Sequence, residues 1–157
     1  MARGAAAVIP GWHPLLVHFP VALTISAALA LVAARAVRDD DLARSLAITG
    51  TWNLIAAAVA ALFAIGTGIA ALADLQVGAA AHAAIFVHVK WAMLTSTVTM
   101  LLAVWRAAGQ AHDARPSRGL VIAVVLASVA MAITAYRGDL NVYRYGVAVA
   151  RSVQTSR

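Results

Sequence analysis

The sequence predicts an all-α fold, a four-helix transmembrane bundle with a short polar or interfacial C-terminal tail. Three observations predict it. Of the 157 residues, 63% are hydrophobic and only 11% are charged, where a soluble domain carries about 25% charged residues. The charges are missing from four long runs, each near the ~20 residues that cross a hydrocarbon layer ~30 Å thick. Polar connectors separate the runs, and a backbone in lipid must pair its own polar groups, which makes each run a helix.

The runs are roughly 15–37, 46–73, 84–105 and 120–136, within a single domain over 1–157. Arg35 to Asp41 joins the first two, Asp74 to Gly78 the next two, and Ala107 to Arg118, with Pro116, the last two. Trp12 and Trp105 fall where an interfacial belt places them. The tail, 138–157, is too polar to span, and Asn141 to Val153 reads as interfacial or irregular. No internal repeat is visible. The first run is long for a cleaved signal peptide and carries His18 and Pro20, so it reads as an uncleaved anchor.

Composition also excludes function classes. Cysteine is absent, which rules out disulfides, thiolate metal sites and covalent c-type haem attachment through this chain. Glutamate is absent too, so no glutamate-based acid/base pair or di-metal carboxylate motif exists. The net charge of +6 does not indicate nucleic acid, because the arginines sit at the ends of apolar segments as topology signals and headgroup contacts. There is no nucleophile elbow, phosphate loop or zincin motif, and an electron-transfer component is expected rather than a stand-alone catalyst.

Four spans place both termini on one side, side A. Arg35, Arg38, Arg44, Arg106, Arg115 and Arg118 lie on side B, against Arg3, Arg137, Arg144, Arg151 and Arg157 on side A. By that narrow margin the positive-inside rule puts side B in the cytoplasm and the termini outside.

The histidines share side A. His13 and His18 open the first helix, and His82 and His88 open the third. These two helices run in the same direction, so connectivity alone brings the four together. His18 and His88 lie about one turn into their runs at matched depth, with His13 and His82 matched nearer the surface. Neither pair has the i, i+4 spacing that sets two imidazoles on one metal from a single helix. Pairing between helices suits the two axial positions of a haem iron, and the favoured ligands are His18 and His88. His112 lies on side B.

The surroundings fit. Ala92, Thr95, Ser96 and Thr99 follow His88, and Ala22 and Ser26 follow His18, as small and hydroxyl stripes that face a bundle interior. Gly66 and Gly68 allow a close backbone approach from the second helix. Pro20 frees the carbonyl of Leu16 to orient an imidazole. Lys90, Arg137 and Arg144 are candidate partners for haem propionates, and Asp74 for an imidazole N–H.

The stretch His13-Pro14-Leu-Leu-Val-His18-Phe-Pro20 resembles the opening signature of a bacterial membrane family catalogued as domain of unknown function 2231. Gly68 followed by Asp74, and Val142-Tyr143-Arg144-Tyr145-Gly146-Val147, resemble its second-helix end and closing motif. The resemblance implies a four-helix protein of the bacterial inner membrane. It also implies respiratory electron transfer, since some relatives are joined to or encoded beside c-type cytochrome domains. Many relatives carry histidine where Tyr145 stands here.

The leading expectation is a membrane b-type haem protein transferring electrons, a subunit or partner of a respiratory redox system, with a cytochrome subunit and quinone as partners beside the lipid bilayer. The alternatives are a copper or zinc site built from His13, His18, His82, His88 and Asp74, and a structural subunit of a larger membrane complex.

Overall fold

Why each run begins and ends where it does is visible in the computed structural model, which describes residues 12–73, 75, 77–109 and 115–147. Among the described residues five helices occur: α1 (Trp12–Leu16), α2 (His18–Ala36), α3 (Asp40–Ala73), α4 (Ala79–Gly109) and α5 (Arg118–Tyr143). Helices α1 and α2 form one span, Trp12–Ala36. Val17 between them keeps right-handed helical dihedrals. The ladder lapses there because Pro20 has no N–H to give the carbonyl of Leu16, and Pro14 is tolerated because it lies in a first turn.

The aspartate run starts α3. Asp39 Oδ1 accepts from the N–H of Leu42 at 2.7 Å, and Asp40 and Asp41 occupy the first turn, where the helix dipole favours negative charge. Ser117 caps α5 by accepting from Leu120 at 3.3 Å. At the far end Gly146 adopts φ +62°. Its N–H returns to Val142, and that of Val147 to Asn141, the closure a left-handed glycine allows. Helices α3, α4 and α5 therefore extend beyond the apolar runs, and Gly138 to Tyr143 is helix rather than tail. Residues 148–157 and His112 lie outside the described residues.

The bundle is a ring. Helix α2 packs most extensively on α3 and α4 on α5, while α3 meets α4 and α2 meets α5. Only 28–33% of each apolar window is buried inside the bundle. The remainder presents Leu29, Leu62, Phe63, Leu94, Leu101 and Leu126 outward. In water that would be an apolar surface far larger than soluble monomers expose; in a bilayer it faces its proper solvent.

The two hairpins, α2–α3 and α4–α5, repeat one burial register. A shift of 70 residues carries the buried positions Gly50, Thr51, Leu54, Ala57, Ala58, Ala61 and Ala64 onto Leu120, Val121, Val124, Ala127, Ser128, Met131 and Thr134, all buried. A shift of 75 carries Pro20, Thr24, Ala27, Ala28 and Leu31 onto Thr95, Thr99, Leu102, Ala103 and Arg106, also all buried. The repeat lies in which positions face inward and is nearly invisible in residue identity.

The apolar core, with Leu31, Leu54, Leu102, Leu120 and Val124, occupies the half toward side B. That end is also tied by arginines. Arg35 Nη1 donates to the carbonyl of Pro116 at 2.6 Å, and Arg115 pairs with Asp40 while donating to the carbonyls of Val37 and Arg38. Arg106 is fully buried and donates from Nε to Thr51 Oγ1 at 2.9 Å. Three arginines that read as topology signals thus hold the two hairpins together.

Candidate functional site

Toward side A the interior is lined by small and hydroxyl residues, among them Ala61, Ala64, Ala81, Thr95 and Thr134. Into this half project two imidazoles, one from each hairpin.

His13, in the first turn of α1, sets Nδ1 2.9 Å from the carbonyl oxygen of Ala64 on α3. Thr67 Oγ1 lies 3.4 Å from the same nitrogen, and donates its own proton back to the carbonyls of Phe63 and Ala64. His88 on α4 sets Nδ1 3.1 Å from the carbonyl oxygen of Thr134 on α5. A carbonyl can only accept, so each ring carries its proton on Nδ1. Each Nε2 then holds a lone pair, and no hydrogen bond engages it among the described residues.

The ring seats are alike. A Cβ added at Gly68 would lie 3.0 Å from His13 Cε1, and one at Gly138 would lie 3.2 Å from His88 Cε1. Each glycine stands four residues beyond the carbonyl that holds the ring, and its bare backbone lets the imidazole lie flat on the helix. Shifts of 75 and 70 residues map the whole arrangement, His13 with Ala64 and Gly68, onto His88 with Thr134 and Gly138. Both imidazoles are half-buried.

The other expected site residues lie elsewhere. His18 is exposed on the outer face of α2, beside the exposed Phe19, and its counterpart in the second hairpin is the exposed Met93. The imidazole matched to His88 by register and burial is therefore that of His13. His82 is exposed and lines an apolar recess with Leu72, Ile85 and Phe86. Lys90 is exposed, its Nζ 4.5 Å above the Phe86 ring. Arg144 is exposed and stacks over Tyr145.

Arg137 is half-buried one residue before Gly138, with its guanidinium 5.7 Å from the Trp91 ring. Among the described residues its Nε has no hydrogen-bond partner. Gly66 is exposed with open space around it, so only Gly68 of that pair approaches an imidazole. Thr95, Ser96 and Thr99 are buried as their spacing predicts, whereas Ala22 and Ser26 are exposed, with Ser26 Oγ accepting from Asn53 Nδ2 of α3 at 2.9 Å. The carbonyls that orient the rings belong to Ala64 and Thr134, not to Leu16. Asp74 lies outside the described residues.

Among the described residues no cluster of three or more histidine and aspartate side chains forms a metal site. The chain therefore presents two imidazoles with lone pairs at Nε2, each with its tautomer set by a helix carbonyl, as metal-bound histidines are set.

Comparison with known proteins returns one family. Residues 10–151 match the family described as Predicted membrane protein (DUF2231). No curated protein and no solved structure matches the chain.

Proposed function

Because the chain belongs to this family of predicted membrane proteins, we propose from its side A interior that it is a membrane electron carrier holding one haem b between His13 and His88. The observation that supports the reading is the matched pair of imidazoles, each with Nδ1–H spent on a helix carbonyl and Nε2 free. His13 and His88 would supply the two protein nitrogens that a haem iron asks for. Copper or zinc would ask for three or four protein ligands, and the described residues do not assemble them.

Haem iron cycles between ferric and ferrous states, which is the chemistry such a group supplies when bound. Helix carbonyls hold the tautomer of both rings, and Arg137 is a half-buried cation on α5 suited to a carboxylate. Tyr145, where many relatives carry histidine, lines a groove between α4 and α5. A bacterial inner-membrane location with the termini outward, and exchange with a cytochrome subunit or quinone, complete the proposal.

The test is a visible spectrum of detergent-purified protein before and after dithionite. A Soret band with sharp α and β bands on reduction is expected. His13→Ala and His88→Ala should each abolish it, and His18→Ala should leave it intact. Full haem retention in either of the first two variants would refute the assignment, as would a featureless spectrum of intact wild-type protein reconstituted with hemin.

A further inference from the structure

Lys90 is the chain's one lysine, and it stands on the outer face of α4. It follows His88 by two residues, about 200° around the helix axis. Where His88 turns to the bundle, Lys90 therefore turns away from it, and Lys90 is exposed accordingly. It lies about 9 Å of helical rise inside the apolar run that starts near Ala84. The surroundings of that face are lipid, where an ammonium without a counter-charge is costly. Among the described residues the sole ion pair is Arg115 with Asp40, at side B, so no carboxylate of theirs answers Lys90.

The side chain runs back toward side A, as lysines near the end of a span do, and sets Nζ 4.5 Å above the ring of Phe86, one turn earlier. That ring is also a wall of an apolar recess, shared with Leu72 of α3, Leu75 of the connector, and Ile85 and Val89 of α4. Packing does not ask for the cation. The matching position of the first hairpin, 75 residues earlier, is Leu15, which is exposed as well.

An unanswered ammonium within the span, laid on an aromatic ring at the edge of an apolar recess, offers the two things an anionic phospholipid needs. These are a charge for its phosphodiester and a wall for an acyl chain. We propose that the recess between α3 and α4, with Lys90 at its edge, is a binding site for an anionic phospholipid. The ammonium takes the phosphodiester oxygens, and one acyl chain lies against Phe86, Ile85 and Val89. A zwitterionic lipid brings its own cation to the same phosphate and gains less from Lys90. The site is on the face of α4 away from His88, and its occupation does not depend on haem.

The test is native mass spectrometry of the full chain released from detergent, with dioleoyl phosphatidylglycerol and dioleoyl phosphatidylcholine in equimolar competition. One phosphatidylglycerol adduct is expected, formed with about tenfold preference. Lys90→Met should reduce the preference to less than about twofold, with unchanged melting in detergent, and Lys90→Arg should keep it. Arg44→Met, which removes the same charge from an exposed position on side B, should leave it intact. Equal uptake of the two lipids by wild type needs no variant to interpret and would overturn the proposal. Full preference in Lys90→Met would also overturn it. So would an equal loss in Arg44→Met, because net charge alone would then select the lipid. Displacement of phosphatidylglycerol by equimolar oleic acid would assign the recess to a carboxylate ligand instead. A lipid-free mass of two chains, lost in Lys90→Met, would assign it to a second copy of this chain, and either result overturns the phospholipid site.

Discussion

The N-terminal and C-terminal hairpins share a register and differ in what is laid over it. Both place a histidine on the entering helix, a carbonyl on the returning helix to hold its Nδ1–H, and a glycine one turn further to seat the ring. Both bury a threonine eleven residues past the histidine, Thr24 and Thr99. Among the differences are three polar or charged side chains of the second hairpin: Arg106 for Leu31, Arg137 for Thr67 and Asn141 for Ala71. Shared positions mark what a ring seat needs. Unshared positions mark where the two sides of the molecule have become unlike.

Four perturbations bear on that comparison. The largest effect is expected from the histidines, where His13→Ala and His88→Ala should lose bound haem equally; loss in one variant alone would mean the seats are not equivalent. Next come the glycines. An added Cβ would press on the ring at 3.0 Å in Gly68→Ala and 3.2 Å in Gly138→Ala. Each should therefore weaken haem retention by about tenfold, from a ring displacement costing about 1.4 kcal/mol, as measured by transfer of haem to apomyoglobin.

Arg106→Leu copies the first hairpin into the second and removes the bond to Thr51. It should lower stability by about 2 kcal/mol, read from thermal unfolding in detergent, and leave the haem spectrum unmoved. A spectral change would show that the side B tie reaches the imidazoles. The smallest effect is expected for Thr67→Val. It removes the hydroxyl that lies 3.4 Å from the ring and donates to the carbonyls of Phe63 and Ala64, leaves the Ala64 carbonyl in place, and should shift haem affinity by less than about threefold.

Much of the fold was legible in the sequence. Four apolar runs and their connectivity bring the first and third helices to one side, and with them the histidines. What hydropathy does not carry is azimuth. Reading the first run from Leu15 treats Trp12 to Pro14 as outside it, although the helix already turns there. His13 and His18 are five residues apart, about 500° of helix, which leaves them about 140° apart around the axis. Only one can face the interior. Matching by depth favours His18, whereas matching by face selects His13.

The glycine at 138 was obscured for a related reason. The polar residues that follow it look like a tail, yet helical backbone tolerates them at the water-facing end of a span. The arginine ties at side B depend on carbonyls of Pro116, Val37 and Arg38, and no side-chain pattern advertises a free carbonyl. A signal did exist for the repeat. Sliding the chain on itself by 75 and then 70 residues aligns His13 with His88 and Gly68 with Gly138, but two different offsets hide it from a search at one period.

The shared register has a consequence for inheritance. One hairpin joined to a copy of itself would present the same pair of rings, so half the gene suffices to specify both seats. Once the copies are in tandem, a mutation in one no longer strikes both faces of the site at once. Positions 106, 137 and 141 are where the second hairpin carries side chains unlike those at 31, 67 and 71 of the first, while both keep the same ring seat.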